Sequence, residues 1–250
     1  MNKIALITGA TSGIGRATAI KLAECGCHVI LCGRRQDRLS SLQNDLSKIT
    51  KTYTLTFDVR ERSAVESQIN SLPDGWKHID ILVNCAGNAH GLSAIHQGDV
   101  EDWDAMIDSN VKGLLYVSRV VIPQMVERRS GHIINISSVA GKQTYLNGAV
   151  YCASKSAVES ISEGMRKDLT EYGIKISNIA PGAVETEFSE VRFKGDKERA
   201  KKVYEGFEPL LPEDIADMIS YVIHAPERVT IADVVMYAKA QSGPTTIFRN

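Results

Sequence analysis

Short apolar runs alternate with longer periodic stretches along the chain. The runs are largely continuous in isoleucine, valine and leucine, and they lie at residues 4–8, 28–32, 52–57, 79–84, 132–137, 175–180 and 233–237. Strands that are covered on both faces have this pattern, whereas half-exposed strands alternate apolar and polar positions. The stretches between the runs predict helices at residues 13–24, 35–48, 64–71, 100–129, 149–172 and 213–224.

The repeated order of strand and helix predicts the fold class. It indicates an α/β protein with one Rossmann-type doubly wound parallel sheet and helices on both of its faces. No linker rich in proline, glycine or serine divides the sequence, so we expect a single domain over residues 1–250. The charged segment at about 186–212 follows the sixth predicted strand, and a long insertion at that place is typical of a substrate lid.

Composition and charge exclude several classes of function. The formal net charge of −1 gives no electrostatic basis for binding nucleic acid. No apolar run approaches the roughly 18 residues of a membrane span, and the apolar run at the N-terminus is too short for a secretory signal. The five cysteines form no C-x-x-C pattern and the six histidines show no ligand spacing. We therefore expect reduced thiols, no metal site and a cytoplasmic location.

A glycine-rich turn follows the first predicted strand and opens the first predicted helix. Glycine allows a tight turn and a close approach of the backbone to a diphosphate, which the helix N-terminus then favours. The turn predicts that a dinucleotide is bound by Gly9, Thr11, Ser12, Gly13, Ile14 and Gly15. The alternative is a purely structural turn between a strand and a helix.

The ends of the second and third strands bear on the choice of cofactor. An NAD site usually has an acidic residue at the end of the second strand, but this chain has Arg34 and Arg35 there. Guanidinium groups pair well with a 2′-phosphate, so we predict NADP(H) as the cofactor. A solvated arginine pair is the alternative. Asp58 and Val59 follow the third strand, where the carboxylate is placed to meet the adenine amino group.

Three polar residues form a candidate catalytic group. Ser138 follows the fifth predicted strand, and Tyr151 and Lys155 are four positions apart on a predicted helix, so that they share one face. A neighbouring ammonium would lower the pKa of a tyrosine, and a serine hydroxyl could donate to a substrate oxygen. Taken separately, the tyrosine and lysine are common surface neighbours and the serine is a common helix cap.

Taken together with the glycine-rich turn, these residues make the sequence resemble the classical short-chain dehydrogenase/reductase family. The matching pieces, in the order and spacing of that family, are Thr8-Gly9-x-x-x-Gly13-x-Gly15, Asp58, Asn84-Cys85-Ala86-Gly87, Asn110, Ser138, Tyr151-x-x-x-Lys155 and Pro181-Gly182. They cover nearly the whole chain. One departure is Cys85, where the family usually has asparagine.

The resemblance implies a role for each matched residue. Tyr151 would be the general acid and base, and Lys155 would lower the pKa of Tyr151 and hold the nicotinamide ribose. Ser138 would orient the substrate carbonyl, and Asn110 would hold a water of the proton relay. Further cofactor contacts would come from Asn84, Ala86, Gly87, Pro181, Gly182, Val184 and Thr186.

A narrower resemblance concerns the substrate. Segments such as Leu72-Pro73-x-x-Trp76, Val100-Glu101-Asp102-Trp103 and the run 186–196 are similar to the NADP-dependent 3-hydroxy acid dehydrogenase branch. That branch acts on serine and allo-threonine, reduces malonic semialdehyde and typically forms homotetramers, and a related group reduces sulfoacetaldehyde. The resemblance implies a small acidic substrate, such as serine, allo-threonine or 3-hydroxypropionate, and a homotetramer.

An acidic substrate needs a cationic or amide partner. We predict Arg192 as the anchor of the acidic group, with a solvated lid charge as the alternative. The substrate wall is completed by Ser138, Gln143, Tyr145, Asn147 and Tyr151. The alternative functions are a reductase of another small carbonyl, such as sulfoacetaldehyde or a neutral ketone, and a regulatory protein that binds NADP without catalysis.

Overall fold

Seven parallel strands form one sheet in the computed structural model, which describes residues 3–250. The strands are β1 Ile4–Thr8, β2 His28–Gly33, β3 Thr52–Thr56, β4 Ile81–Asn84, β5 Gly131–Ile136, β6 Ile174–Pro181 and β7 Asp233–Met236. Their order in the sheet is β3-β2-β1-β4-β5-β6-β7, which confirms the predicted doubly wound parallel sheet. The strand order reverses between β1 and β4, and sheets of this kind bind ligands at the carboxyl ends of the strands beside such a reversal.

Helices cover both faces of the sheet. Their bounds are α1 Gly13–Glu24, α2 Gln36–Leu46, α3 Arg62–Asn70, α4 Val100–Ile107, α5 Leu114–Arg128, α6 Val139–Lys142, α7 Ala149–Leu169, α8 Phe188–Arg192, α9 Lys197–Lys202 and α10 Pro212–His224. Across residues 3–250, no helix combines the length and the apolar character that a membrane span requires.

Successive residues of a strand pack into two separate cores. In β1, Ala5 and Ile7 face a core with α1, α2 and α10, whereas Leu6 faces a second core with α3, α5 and α7. All three side chains are fully buried. Burial of each large aliphatic side chain contributes about 1.5–3 kcal/mol. This two-sided burial explains why the strands are continuous apolar runs in the sequence.

The predicted helix 100–129 is divided by an unusual turn. One turn of π-helix, Asp108–Gly113, joins α4 to α5. Such turns are rare and occur mostly at functional sites. The short helices α6, α8 and α9 were not predicted, because four to six residues are too few to show a helical period.

The segment 186–212, called the lid below, is an insertion whose two ends lie side by side next to the sheet. Glu185 N–H donates to Leu210 C=O at 2.8 Å, and Leu210 N–H donates to Ala183 C=O at 2.9 Å. These two bonds close the base of the insertion next to the end of β6. The lid carries α8 and α9 between these two anchoring points, and α10 begins at its end.

Candidate active site

A cavity of about 800 Å³ lies at the carboxyl ends of the strands. Its floor includes Gly9, Gly33, Phe57, Ser137 and Pro181, each of which ends or directly follows a strand. The lid and the C-terminal segment supply further parts of the wall. This size suits a ligand larger than a single small metabolite.

The glycine-rich turn after β1 lies at one end of the cavity. Gly9 and Gly13 have φ angles of +71° and +49°, which L side chains rarely adopt. A Cβ on Gly15 would lie 2.4 Å from the carbonyl oxygen of Gly9. Ser12 precedes α1 but makes no side-chain cap, so the first N–H groups of this helix remain available to an anion. Thr11, Ser12 and Ile14 also line the cavity.

The two predicted arginines occupy different environments beside this turn. Arg35 donates from Nη2 to the Thr11 hydroxyl at 3.0 Å and to the Ser12 hydroxyl at 2.8 Å. Arg34 is largely exposed and makes one long ion pair of 3.5 Å with Asp58. The hydroxyl contacts therefore attach Arg35, more firmly than Arg34, to the phosphate-binding turn.

Asp58 and Val59 line the same end of the cavity. Burial raises the pKa of Asp58, but hydrogen bonds from Arg60 outweigh it, so that the pKa of this carboxyl falls below its usual value. The shortest of these bonds, from Arg60 Nη2 to Asp58 Oδ2, is 2.8 Å long. Asp58 is thus a carboxylate acceptor at the predicted adenine position.

The candidate catalytic residues meet at the opposite end of the cavity. Ser138 follows β5, and its hydroxyl accepts from Ala140 N–H at 3.1 Å, which begins α6. Tyr151 and Lys155 lie one turn apart on α7, and both line the cavity although each is more than nine-tenths buried. Lys155 Nζ donates to the Ile136 carbonyl at 3.0 Å.

Asn110 lies in the π-helical turn, behind the cavity wall. Its Oδ1 accepts from Asn88 N–H at 2.8 Å, and its Nδ2 donates to the Ser154 hydroxyl on α7 at 2.9 Å. A Cβ on Gly87 would lie 2.8 Å from Asn110 Oδ1 and 3.5 Å from Lys155 Nζ. The absence of a side chain at Gly87 therefore keeps Asn110 close to the catalytic helix.

Burial dominates the electrostatics of Lys155 and Tyr151. It lowers the pKa of Lys155 to about 8 and raises the pKa of Tyr151 to about 12. The sequence prediction took the ammonium of Lys155 and a bound, positive nicotinamide ring to lower the pKa of Tyr151, and it did not include the loss of water, which acts in the opposite direction. The cation that partly offsets the effect of burial on the pKa of Tyr151 is Arg192, together with a contribution from Ser138.

Arg192 lies among aromatic rings at the end of α8. Its guanidinium carbon is 5.0 Å from the ring centre of Tyr151, 5.4 Å from that of Phe188 and 5.8 Å from that of Tyr145. The group donates to the Tyr145 hydroxyl, while its buried Nε has no hydrogen-bond partner. Within residues 3–250 it makes no ion pair with a carboxylate. A half-buried guanidinium without a counter-ion is suited to an anionic ligand.

Three predicted residues besides Asn110 lie outside the large cavity. Asn84 Nδ2 donates to the Ser118 hydroxyl and to Asn135 Oδ1, both at 3.0 Å, so its side chain joins the sheet to α5 instead of facing the cavity. Asn147, with a φ of +63°, lines a smaller adjoining cavity together with Tyr151 and Arg192. Gln143 directly follows α6 and points toward the C-terminal segment, with Oε1 3.5 Å from the position of a Cβ on Gly243.

The remaining predicted residues share the large cavity. They are Ala86, Gly87, Tyr145, Pro181, Gly182, Val184 and Thr186. Gln241 and Glu187 are among the wall residues that were not predicted from the sequence. Gln241 Oε1 accepts from Ala183 N–H at 2.9 Å and joins the C-terminal segment to the turn after β6, and Glu187 pairs with Arg35 across the cavity. No local pattern marks either residue, because each partner is far away in the sequence.

The sequence was compared with known proteins. It matches the family model described as short chain dehydrogenase over residues 3–197. The NADP-dependent 3-hydroxy acid dehydrogenase YdfG of Salmonella typhi is 47% identical over 240 residues, which are 96% of each chain. Sulfoacetaldehyde reductase 2 of Chromohalobacter salexigens is 41% identical over 92% of each chain. A solved structure of the closed form of serine dehydrogenase complexed with NADP⁺ has a TM-score of 0.93 and 44% identity, and the match covers 99% of each chain.

Proposed function

The chain belongs to the short-chain dehydrogenase family, and from this premise we propose that it is an NADP(H)-dependent oxidoreductase of small 3-hydroxy acids. Its substrates are of the serine, allo-threonine or 3-hydroxypropionate type, together with the matching semialdehydes or keto acids. The observation that carries this proposal is the unpaired guanidinium of Arg192 stacked on the ring of Tyr151. It adds an anion-binding group to a site that holds the residues for hydride-transfer chemistry.

The residues present fit NADP(H). The positive φ angles and the lack of space for a Cβ make the turn after β1 a backbone cradle for a diphosphate. Arg34 and Arg35 would hold the 2′-phosphate and Asp58 the adenine amino group, while Lys155 would hold the nicotinamide ribose. When bound, the nicotinamide supplies the hydride acceptor or donor.

The protein supplies proton transfer and charge stabilisation. The phenol of Tyr151, whose pKa burial raises, would donate its proton to the carbonyl oxygen during reduction, and in the reverse direction its phenolate would accept the proton of the alcohol. Ser138 would donate a hydrogen bond to the same oxygen as negative charge develops on it. Asn110 would hold the water that passes the proton onward, since it lies beside both Lys155 and α7.

Arg192 would bind the acidic group of the substrate. A guanidinium pairs bidentately with a carboxylate, and the surrounding rings remove competing water. Tyr145 would orient the guanidinium through its hydroxyl. A regulatory protein without catalysis would have no need for Ser138, Tyr151 and Lys155 at one end of one cavity, so the enzyme is the better supported function.

The proposal is tested by following NADP⁺ reduction, through the absorbance of the reduced nicotinamide, with a panel of alcohols. The panel contains L-serine, allo-threonine, 3-hydroxypropionate, isethionate and a neutral secondary alcohol. We expect turnover of the carboxylic acids and little turnover of the neutral alcohol. Turnover of the neutral alcohol alone would refute the assignment of an acidic substrate.

A reductase of sulfoacetaldehyde is the second candidate function. The relative from Chromohalobacter salexigens carries that activity in its name, and a guanidinium binds a sulfonate as readily as a carboxylate. Isethionate in the same panel distinguishes the two functions. Preferred turnover of isethionate would replace the 3-hydroxy acid assignment.

We also propose a homotetramer in the cytoplasm. An assembly is supported by exposed apolar side chains on and near the edge strand β7 and on α10, namely Tyr221, Val235 and Tyr237. A reducing compartment is supported by the five free cysteines. Sedimentation equilibrium of the purified protein should give the mass of four chains, and a monomer would refute the assembly.

A further inference from the structure

Glu187, at the start of the lid, forms ion pairs with two arginines of the cofactor end. Its Oε2 lies 2.9 Å from Arg35 Nη1, and its Oε1 lies 2.5 Å from Arg38 Nη1. Glu187 is 152 positions from Arg35 in the sequence, so the pair joins the lid to the first turn of α2. Hydrogen bonds from both arginines hold the pKa of Glu187 below its usual value in spite of its burial.

Arg35 connects this ion pair to the proposed phosphate-binding turn. The same guanidinium that binds Glu187 also donates to the hydroxyls of Thr11 and Ser12, which belong to the phosphate-binding turn. Arg35, the two hydroxyls and Arg38 form a cationic group of donors that is suited to a tetrahedral dianion. A lid carboxylate supplies the negative charge there instead.

We propose that Glu187 is an internal competitor of the cofactor 2′-phosphate, through which the choice of cofactor is coupled to the position of the lid. The inference rests on the proposed NADP(H) function and concerns a residue that this function does not require. A 2′-phosphate that pairs with Arg35 must displace a carboxylate, because like charges at one guanidinium repel. NAD(H), which lacks this phosphate, leaves the ion pair intact.

Helix α8 connects Glu187 to the substrate end of the site. Glu187 directly precedes α8, and Arg192 ends that helix five positions later. The C-terminal side of α8 is held separately, because Gly91 N–H donates to Arg192 C=O at 2.9 Å and Lys194 pairs with Asp102 at 3.0 Å. The N-terminal side keeps the bond of the Ser189 hydroxyl to Tyr204 at 2.9 Å, so displacement of Glu187 removes the ionic contacts of this end of α8 and loosens it, while the other end stays attached.

The first test measures binding to the full-length enzyme by isothermal titration calorimetry. Glu187→Gln keeps the shape of the side chain and removes its charge, and Glu190→Gln removes the same charge from an exposed position on α8 without an ion pair. Adenosine 2′-monophosphate, NADP⁺ and NAD⁺ serve as probes. In E187Q, affinity for the two 2′-phosphates should rise about threefold to tenfold, since two partly exposed ion pairs no longer compete. Affinity for NAD⁺ should not change, and E190Q should resemble the wild type.

The second test measures amide hydrogen exchange in the lid. Adenosine 2′-monophosphate should increase exchange across residues 186–192 of the wild type, because it frees the N-terminal end of α8. In E187Q the exchange of this segment should be high without the probe and should rise no further when the probe is added. E190Q should respond as the wild type does.

The outcomes separate this inference from the proposed function. If E187Q binds the 2′-phosphates more weakly than the wild type or equally well, Glu187 does not compete with phosphate and the inference is overturned. Lid exchange that is indifferent to the probe overturns the coupling. If instead the wild type binds NADP⁺ no better than NAD⁺, the NADP assignment itself fails, whatever E187Q does.

Discussion

The guanidinium of Arg192 stacks on the ring of Tyr151, with 5.0 Å between the guanidinium carbon and the ring centre. In the proposed function, a single residue of the lid would therefore meet both the acidic end of the substrate and the group that transfers the proton. This contact lowers the pKa of Tyr151, while burial acts in the opposite direction and prevails. In the proposed mechanism the lid would thereby take part in proton transfer as well as in substrate binding.

Replacing Arg192 with methionine should shift the pH dependence of catalysis. Without the cation, the pKa of Tyr151 rises further, so the phenol stays protonated to higher pH. Reduction of a neutral ketone should then persist to higher pH, and oxidation of a neutral alcohol should begin only at higher pH. The measurement is the pH profile of kcat/KM in both directions, with neutral substrates so that carboxylate binding does not contribute. Arg199→Met, which removes a cation from Phe193 on the outer part of the lid, is the control. Unchanged profiles for the Arg192 variant would contradict the assigned contact.

The same variant should discriminate between substrates. With the acid 3-hydroxypropionate, Arg192→Met should raise KM by about tenfold or more, because a charge-assisted pair contributes roughly 1.5–3 kcal/mol. With a neutral alcohol, KM should change little. Lys194→Met removes a lid cation that already pairs with Asp99 and Asp102, and it should affect both substrates alike. Equal losses for the acid and the alcohol in the Arg192 variant would mean that the anchor lies elsewhere.

Tyr151→Phe should separate chemistry from cofactor binding. The variant keeps the ring that packs against Phe188 and removes the proton donor. We expect kcat to fall by about 10²–10⁴, the usual contribution of a positioned acid or base. The dissociation constant of NADPH, measured by fluorescence titration, should stay within about twofold of the wild type, since the hydroxyl is assigned to proton transfer. An equal loss of cofactor binding would reassign the tyrosine to cofactor binding.

The two arginines after β2 should differ in their effect on cofactor choice. Arg34→Ala and Arg35→Ala should each weaken NADP⁺ more than NAD⁺, since each removes a partner for the 2′-phosphate. The effect should be larger for Arg35, which is fixed by the hydroxyls of Thr11 and Ser12, than for the exposed Arg34. Calorimetric titration with both cofactors measures the two ratios. A uniform loss for NADP⁺ and NAD⁺ would place the phosphate elsewhere.

A buried polar chain behind the site should be important for stability. Asn135 Oδ1 accepts from Asn84, and its Nδ2 donates to the Ser162 hydroxyl on α7 at 2.9 Å. Asn135→Ala removes one hydrogen bond from each of these buried partners and opens a small cavity in the core, and it should lower the free energy of unfolding by about 2–4 kcal/mol. Asn70→Ala, at an exposed position that ends α3, should change it by less than about 0.5 kcal/mol. Urea denaturation of both variants provides the comparison, and a small change for Asn135→Ala would show that water replaces the lost bonds.

The sheet could be predicted from the sequence because its strands are buried on both sides. Each of the seven predicted strands matches an observed strand within about two residues at either end, and the predicted family is confirmed. The helices between the strands follow from the same rule. Local hydrophobic pattern is sufficient for these elements, since each face of the sheet is covered by the next helix along the chain.

Contacts between distant segments could not be predicted in this way. The pair of Glu187 with Arg35 and the stacking of Arg192 on Tyr151 depend on how the lid folds over the sheet, and no periodicity encodes that path. The effect of burial on the pKa of Tyr151 could not be predicted for the same reason, because burial is a property of the assembled site. Asn84 illustrates the limit of motif matching, since its amide faces Asn135 within the core.

The π-helical turn at Asp108–Gly113 bears on which deletions this chain can tolerate. A π turn accommodates one residue more than an α-helical turn, while the helix on either side keeps its face toward the core. Loss of one residue here would let α4 and α5 join as a continuous α-helix, with Met106 and Val117 still facing inward. Asn110 would lose its position against Asn88 and Ser154. We therefore expect a chain shortened by one residue at this turn to keep the fold and to lose the proposed proton relay.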